Sequence, residues 1–316
     1  MNSDSLSSAE QALVATLEPL AGRRIALIAP AGGVADDRID TALAVCHAAG
    51  IRTWLGAHAR AHHRYLAGTP AARLVDLHAA FKQPDLAAVW CLRGGYGSAQ
   101  FVDDIDWHRI PSDVPLVGFS DMSVLLSAFH RHGRRAIHGP VATQLALPGE
   151  TATARAERRH SMAALVACID GGPARWPAEH VSGDRGARHG VLVGGNLTTL
   201  ASIAGTPAAM QLTRPAILLL EDVGEAAFRL ERCLYQLLAS LDRRHVAAIA
   251  LGEFARCTPD DDMVLIRSIV TEWAGRDDIP VYAGLPIGHD VINHAWRIGA
   301  AAVLDPDQGL IVSAAS

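Results

Sequence analysis

A serine and an aspartate close the apolar run of "PLVGFSDMSVLLSAF" (115–129), where a strand-like stretch passes straight into a helical pattern. Two kinds of chemistry fit that placement. Ser120 and Asp121 are short polar residues that satisfy the orphan amides of a first helical turn. Ser120 on a sharp turn is equally the place for a nucleophile, with neighbouring amides to hold an oxyanion. A serine nucleophile needs a base, and the base needs an orienting carboxylate. "GLPIGHDVINH" (284–294) offers His289 in a loop leaving a strand, with His294 as a nearby alternative. "AILLLEDVGEAAFRLER" (216–232) ends an apolar strand on Glu221 and Asp222. Asp222 reads as a helix cap, and Glu221 as either a solvated strand end or the orienting carboxylate.

A glycine turn is the fourth element. "CLRGGYGSAQ" (91–100) sets Gly94, Gly95 and Gly97 after a buried strand. Glycines there allow positive φ and close approach to the backbone, and successive amides form an anion nest. The spacing is neither Gly-x-Gly-x-x-Gly nor a Gly-Lys-Ser/Thr loop, so a nucleotide site is poorly supported. A plain tight turn and an oxyanion hole remain open. Arg93, beside this turn, and Arg297 are candidates for holding a substrate carboxylate, or are surface salt-bridge formers.

Metal chemistry has less to stand on. His58 and His62 would share a face if "GAHARAHHRY" were helical. They lack the glutamate of His-Glu-x-x-His, and His130, His132 and His138 show no ligand spacing. A solvated basic face is the expectation, ahead of a metal site. Cys46, Cys91, Cys168, Cys233 and Cys257 are odd in number with no Cys-x-x-Cys pair, and read as buried apolar thiols in a reducing compartment.

The elements that must hold these residues follow from the periodicity. In the first half, apolar runs at 24–32, 51–56, 86–95 and 114–120 alternate with helical patterns at 37–50 and 71–84. Continuous apolar strands alternating with helices predict a parallel sheet covered on both faces. In such sheets ligands bind beyond the carboxyl ends of the strands, where both "RGGYGS" and "GFSD" fall. The signal weakens between 146 and 190, which predicts a domain boundary there. We expect an N-terminal α/β domain over 1–165 and a smaller β-rich domain over 166–316. The second opens with a strand whose Gly-Gly-Asn turn, "VLVGGNLTTL", caps a short helix. Its last strands, through "AWRIGAAAVLDPDQGLIVSA", are expected to form one compact β-rich end.

The chain has 316 residues, half of them apolar, and a formal charge of −5. Basic residues are scattered and aromatics sparse, which argues against nucleic acid as a partner. The first residues, "MNSDSLSSAEQALVATLEPLAGRR", lack the basic and apolar regions of a secretory signal, and no window has the length of a membrane span. The expectation is a cytoplasmic protein with no membrane association.

"IALIAPAGG", "RYLAGTPAARLVDLHAAF", "AVWCLRGGYGS", "LVGFSD", "AIHGPVA", "VLVGGNLTTLASIAGTP", "LLLEDVGEAAFRLER" and "GLPIGH" occur in that order over most of the chain. In this the sequence resembles the LD-carboxypeptidase family of serine peptidases, which includes the muramoyl-tetrapeptide carboxypeptidases and the microcin C immunity proteins. The resemblance implies a flavodoxin-like first domain and a β-rich second. It implies a triad of Ser120 in the first domain with Glu221 and His289 in the second. It also implies an oxyanion hole of backbone amides, from Asp121 and from the Gly94–Gly95 turn, with Gly95 the assignment. Homodimers without metal or cofactor are implied too, as is a murein peptide substrate that loses its terminal D-Ala during cell-wall recycling. Two other readings stand beside it: an amide hydrolase of peptidyl-adenylates, as in the immunity branch, and a non-catalytic small-ligand binder. The sequence has Ala31 where many relatives carry serine after the proline, and Met122 where the α/β-hydrolase elbow has its second glycine.

Overall fold

Charged and capping residues set where the helices of the first unit begin, and uninterrupted apolar runs set its strands. The structure is a computed structural model, and it describes residues 6–146, 151–258 and 263–315. Helix α1 (Ser8–Leu17) starts on a capping box in which Ser7 accepts from the Glu10 amide while the Glu10 side chain accepts from the Ser7 amide. Strand β1 (Arg24–Ile28) leads to α2 (Asp36–Ala48), whose first turn carries Asp36 and Asp37 at the positive end of the helix dipole. Strand β2 (Arg52–Leu55) is followed by α3 (Pro70–Ala80), with Thr69 as N-cap and proline at the first helical position. Then come β3 (Leu86–Cys91), β4 (Leu116–Gly118), α4 (Ser123–Arg131), β5 (Ala136–His138) and α5 (Ala152–Ile169), the last capped by Thr151.

β1 to β5 pair in parallel in the order β2-β1-β3-β4-β5, the flavodoxin-like arrangement expected. Ile25, Leu27, Trp90, Val117 and Ile137 point from the sheet into one core with Leu17, Ile39, Met162 and Leu165 of α1, α2 and α5. Each such side chain stabilises the fold by about 1.5–3 kcal/mol on burial. α3 packs on β1, and α4 on β4 and β5.

The second unit opens with β6 (Ala174–Trp176), β7 (Glu179–Ser182) and β8 (Arg188–Asn196). It continues through α6 (Leu197–Ser202), β9 (Ala216–Val223), α7 (Ala227–Ser240), β10 (Val246–Ala255), α8 (Met263–Gly275) and β11 (Val281–Ala283). After β12 (Trp296–Arg297) it closes with the hairpin of β13 (Ala301–Asp305) and β14 (Gly309–Val312). Its eight-stranded sheet runs β6-β14-β13-β8-β9-β10-β11-β7, parallel from β8 to β11 and antiparallel on either side.

The units divide between Asp170 and Gly171, with one exception. Residues 294–296 belong to the first unit, and β12 extends its sheet beside β5. This corrects the single β-rich end expected for the C-terminus. Gly139 makes room for the returning chain: a Cβ there would lie 2.7 Å from that of Ala295. Trp296 stacks on the buried His138, ring centroids 5.3 Å apart.

Candidate active site

In the first unit the segments after β3 and β4 meet at Ser120. Phe119 is extended, Ser120 turns to φ 66°, and residues 120–122 make one 3₁₀ turn before α4. A left-handed serine is uncommon and costs about 1–3 kcal/mol. The turn from strand to helix therefore carries backbone strain at the serine itself. Gly94 lies against it: a Cβ at 94 would sit 2.8 Å from Ser120 Cβ and 3.1 Å from Ser120 Oγ. Gly95 follows at φ 109°, and the Gly94 carbonyl accepts the Gly32 amide at 3.1 Å. The glycine turn therefore touches the serine, and its spacing serves close backbone approach.

Asp121 does not cap the helix behind Ser120. Its buried carboxylate accepts the amides of Ser98, at 2.9 Å, and Gly97, while Ser98 Oγ donates to the Asp121 carbonyl at 2.8 Å. The carboxylate so fastens the far end of the glycine turn to the serine turn. Burial raises its pKa, opposed by those hydrogen bonds and by Arg73. Arg73 is itself fully buried and donates to the carbonyls of Pro30 (2.8 Å) and Gly97 (2.7 Å). Neither residue's role was legible in sequence, because each acts across more than twenty residues of chain.

In the second unit β8 and β9 lie side by side with Asn196 paired to Glu221. The two glycines of "VLVGGN" permit this: a Cβ on Gly194, at φ 133°, would fall 2.1 Å from the Leu219 carbonyl oxygen. Asn196 caps α6 by accepting the Thr199 amide at 2.9 Å, as expected. Asp222 accepts the Thr198 amide at 2.7 Å and Asn196 Nδ2 at 3.1 Å. It thus caps α6 and not the helix that follows it in sequence.

Glu221 is fully buried, and its Oε2 lies 2.6 Å from His289 Nδ1. The structure thus brings together two predicted residues that are 68 positions apart. Nδ1 donates to the carboxylate, which fixes the tautomer with Nε2 as acceptor, the arrangement of a general base with its orienting group. His294, the alternative base, lies with residues of the first unit, and burial lowers its pKa, with Glu157 and His160 as its charged neighbours.

Of the two candidate arginines, Arg297 is buried and donates to the carbonyls of Gly172 and Ser313, so its guanidinium braces the C-terminal segment. Arg93 is exposed and donates one N–H to the Gly33 carbonyl at 2.8 Å. His58 and His62 do not share a helical face, since residues 57–60 form turns. Asp76 draws His58 in, accepting its amide and its ring nitrogen at 2.8 and 2.9 Å. Among the described residues no group of three or more His, Cys, Asp or Glu is arranged to hold a metal, and no helix is long and apolar enough to cross a membrane.

Residues 25–139 match the family model of the LD-carboxypeptidase N-terminal domain, and residues 189–304 that of the LD-carboxypeptidase C-terminal domain. The chain is 47% identical over 293 residues to the murein tetrapeptide carboxypeptidase of Pseudomonas aeruginosa, covering 92% of this chain and 95% of that one. The crystal structure of muramoyltetrapeptide carboxypeptidase from Oxalobacter formigenes superposes with a TM-score of 0.76 at 28% identity, over 92% and 97% of the two chains. The microcin C7 self immunity protein in complex with aspartyl sulfamoyl adenosine shares the fold, with a TM-score of 0.77 at 17% identity over 94% and 97%. The chain belongs to the LD-carboxypeptidase family.

Proposed function

We propose that this protein is a serine LD-carboxypeptidase that removes the terminal D-Ala from the murein tetrapeptide L-Ala-D-Glu-meso-diaminopimelate-D-Ala. Ser120 of the first domain is the nucleophile, and Glu221 and His289 of the second complete the triad. The observation that carries the reading is the Glu221–His289 pair, in which an imidazole in the loop after β11 is held 2.6 Å from a fully buried carboxylate on β9. The identity to the Pseudomonas relative supports the substrate.

His289 Nε2 takes the Ser120 proton as Oγ attacks the scissile carbonyl, and Glu221 stabilises the imidazolium. The amides of Gly95 and Asp121 hold the oxyanion, each donor contributing about 3–4 kcal/mol to the barrier reduction. His289 then protonates the departing amine of D-Ala, and a water activated by the same imidazole hydrolyses the ester. Arg93 is the candidate partner for the D-Ala carboxylate. Family resemblance further supports a homodimer, which sedimentation tests, and the cytoplasmic location is tested by cell fractionation.

Substrate stereochemistry gives the direct test. Chromatography should show D-Ala released from the tetrapeptide and no release from the diastereomer ending in L-Ala. Equal release from both would refute LD specificity. Hydrolysis of a peptidyl-adenylate analogue without D-Ala release would move the protein to the immunity branch.

A further inference from the structure

β10 is apolar through Leu251 and then places Gly252 and Glu253 where the chain leaving β11 passes over the sheet. The Glu253 amide donates to the Ile287 carbonyl at 2.8 Å, and the Leu285 amide to the Leu251 carbonyl at 3.1 Å. The two segments lie so close that each carries a glycine at the contact. A Cβ on Gly252 would stand 2.5 Å from the Ile287 oxygen, and one on Gly288, at φ 154°, would stand 2.6 Å from Glu253 Cβ. The Glu253 carboxyl reaches further and accepts the Asp290 amide. His289 is therefore spanned: the residues two before and one after it are both fastened to Glu253, by main chain and by side chain.

The carboxyl also has an electrostatic position. Its Oε2 is buried and without a hydrogen-bond partner among the described residues. The charged groups facing it are Asp290, Glu221 and His289. Burial first, then the two carboxylates, push its pKa up to about 7.

We propose that Glu253 is a positioning residue for His289, fastening its loop and, once ionised, adding a negative charge that favours the imidazolium formed as Ser120 gives up its proton. The electrostatic half rests on the triad reading, whereas the fastening of the loop does not. Glu253 touches no reacting atom and acts through His289.

Glu253→Gln keeps an oxygen for the Asp290 amide and removes the charge, whereas Glu253→Ala removes both. Hydrogen exchange of the peptide spanning 285–293, read by mass spectrometry, should be about tenfold faster in Glu253→Ala and return to the wild-type rate in Glu253→Gln. Exchange in Glu253→Ala at the wild-type rate would overturn the fastening role. The second readout is the pH profile of kcat/KM on the tetrapeptide. The gain between about pH 6 and pH 8.5 should be smaller in Glu253→Gln than in the wild type by a factor of about three to ten. Superimposed profiles would overturn the electrostatic role. Exchange needs no turnover, so a wild type inactive on the tetrapeptide would refute the proposed substrate, and the exchange rates would still decide the fastening of the loop.

Discussion

Gly94→Ala adds one methyl group at the point where the glycine turn meets the serine turn. The added Cβ would lie 2.8 Å from Ser120 Cβ, 3.1 Å from the Phe119 oxygen and 3.1 Å from Ser120 Oγ, about 0.6 Å inside ordinary contact at the tightest point. The obstacle is not the end of a flexible side chain. Ser120 Cβ is fixed by a backbone at φ 66°, and the carboxylate of Asp121 ties the turn above it to the Ser98 and Gly97 amides. One of the two turns has to move by about half an ångström or more. Displacements near 1 Å cost about 10²-fold in well-aligned reactions, so a loss of about 10- to 100-fold in kcat is expected, with KM changed less. Overpacking of this kind destabilises by about 1–3 kcal/mol, or roughly 2–12 °C in Tm at this domain size. Steady-state kinetics on the tetrapeptide and thermal unfolding measure both. Gly275→Ala is the control, since a Cβ there meets nothing within 4 Å, and it should leave kcat unchanged. A Gly94→Ala enzyme with kcat within about threefold of wild type would refute the claim that this contact sets the nucleophile.

Three further outcomes follow from the same geometry. Glu221→Gln keeps the shape of the pair but cannot stabilise an imidazolium, so kcat should fall by about 10³–10⁴, and Glu221→Gln combined with His289→Ala should be little worse than either alone. Asp121→Ala leaves the buried Ser98 and Gly97 amides without their acceptor and should lower urea-unfolding stability by about 2–3 kcal/mol. Glu253 predicts a pH-dependent stability difference. Its folded pKa of about 7 lies above its ordinary 4.5, so the folded state keeps a proton that the unfolded chain has released, and wild-type stability falls as pH rises between those values. Glu253→Gln lacks that loss. Its advantage in urea-unfolding free energy should grow from about pH 5 to pH 8, reaching roughly 2 kcal/mol after discounting for partial exposure, and a constant difference would count against the buried acid.

Much of this was legible because it is local. In the first unit β1 and β2 are each followed by a helix with its own stop, β3 and β4 are apolar runs, and Asn196 caps α6 within three residues. Ser120 and His289 stood out as polar residues on turns directly after apolar stretches. The rest depends on distant partners. A two-residue strand such as β12 carries no periodicity, so its return to the first sheet is decided by Trp296 on His138 and by the space beside Gly139. Asp121 and Asp222 looked like caps of the helices after them, and both instead serve segments more than twenty residues upstream. Two signals were present and unused. Ser7-x-x-Glu10 is a complete capping box that announces α1. Glu253, like Glu221, is a carboxylate near the end of an apolar strand.

The central claim is that Ser120 is the nucleophile of a D-Ala-releasing hydrolase. Mass spectrometry of the murein tetrapeptide after incubation with wild type and with Ser120→Ala tests it most directly. Loss of one D-Ala with the wild type and none with Ser120→Ala is the predicted result. Equal loss with both proteins would contradict it and place the nucleophile elsewhere.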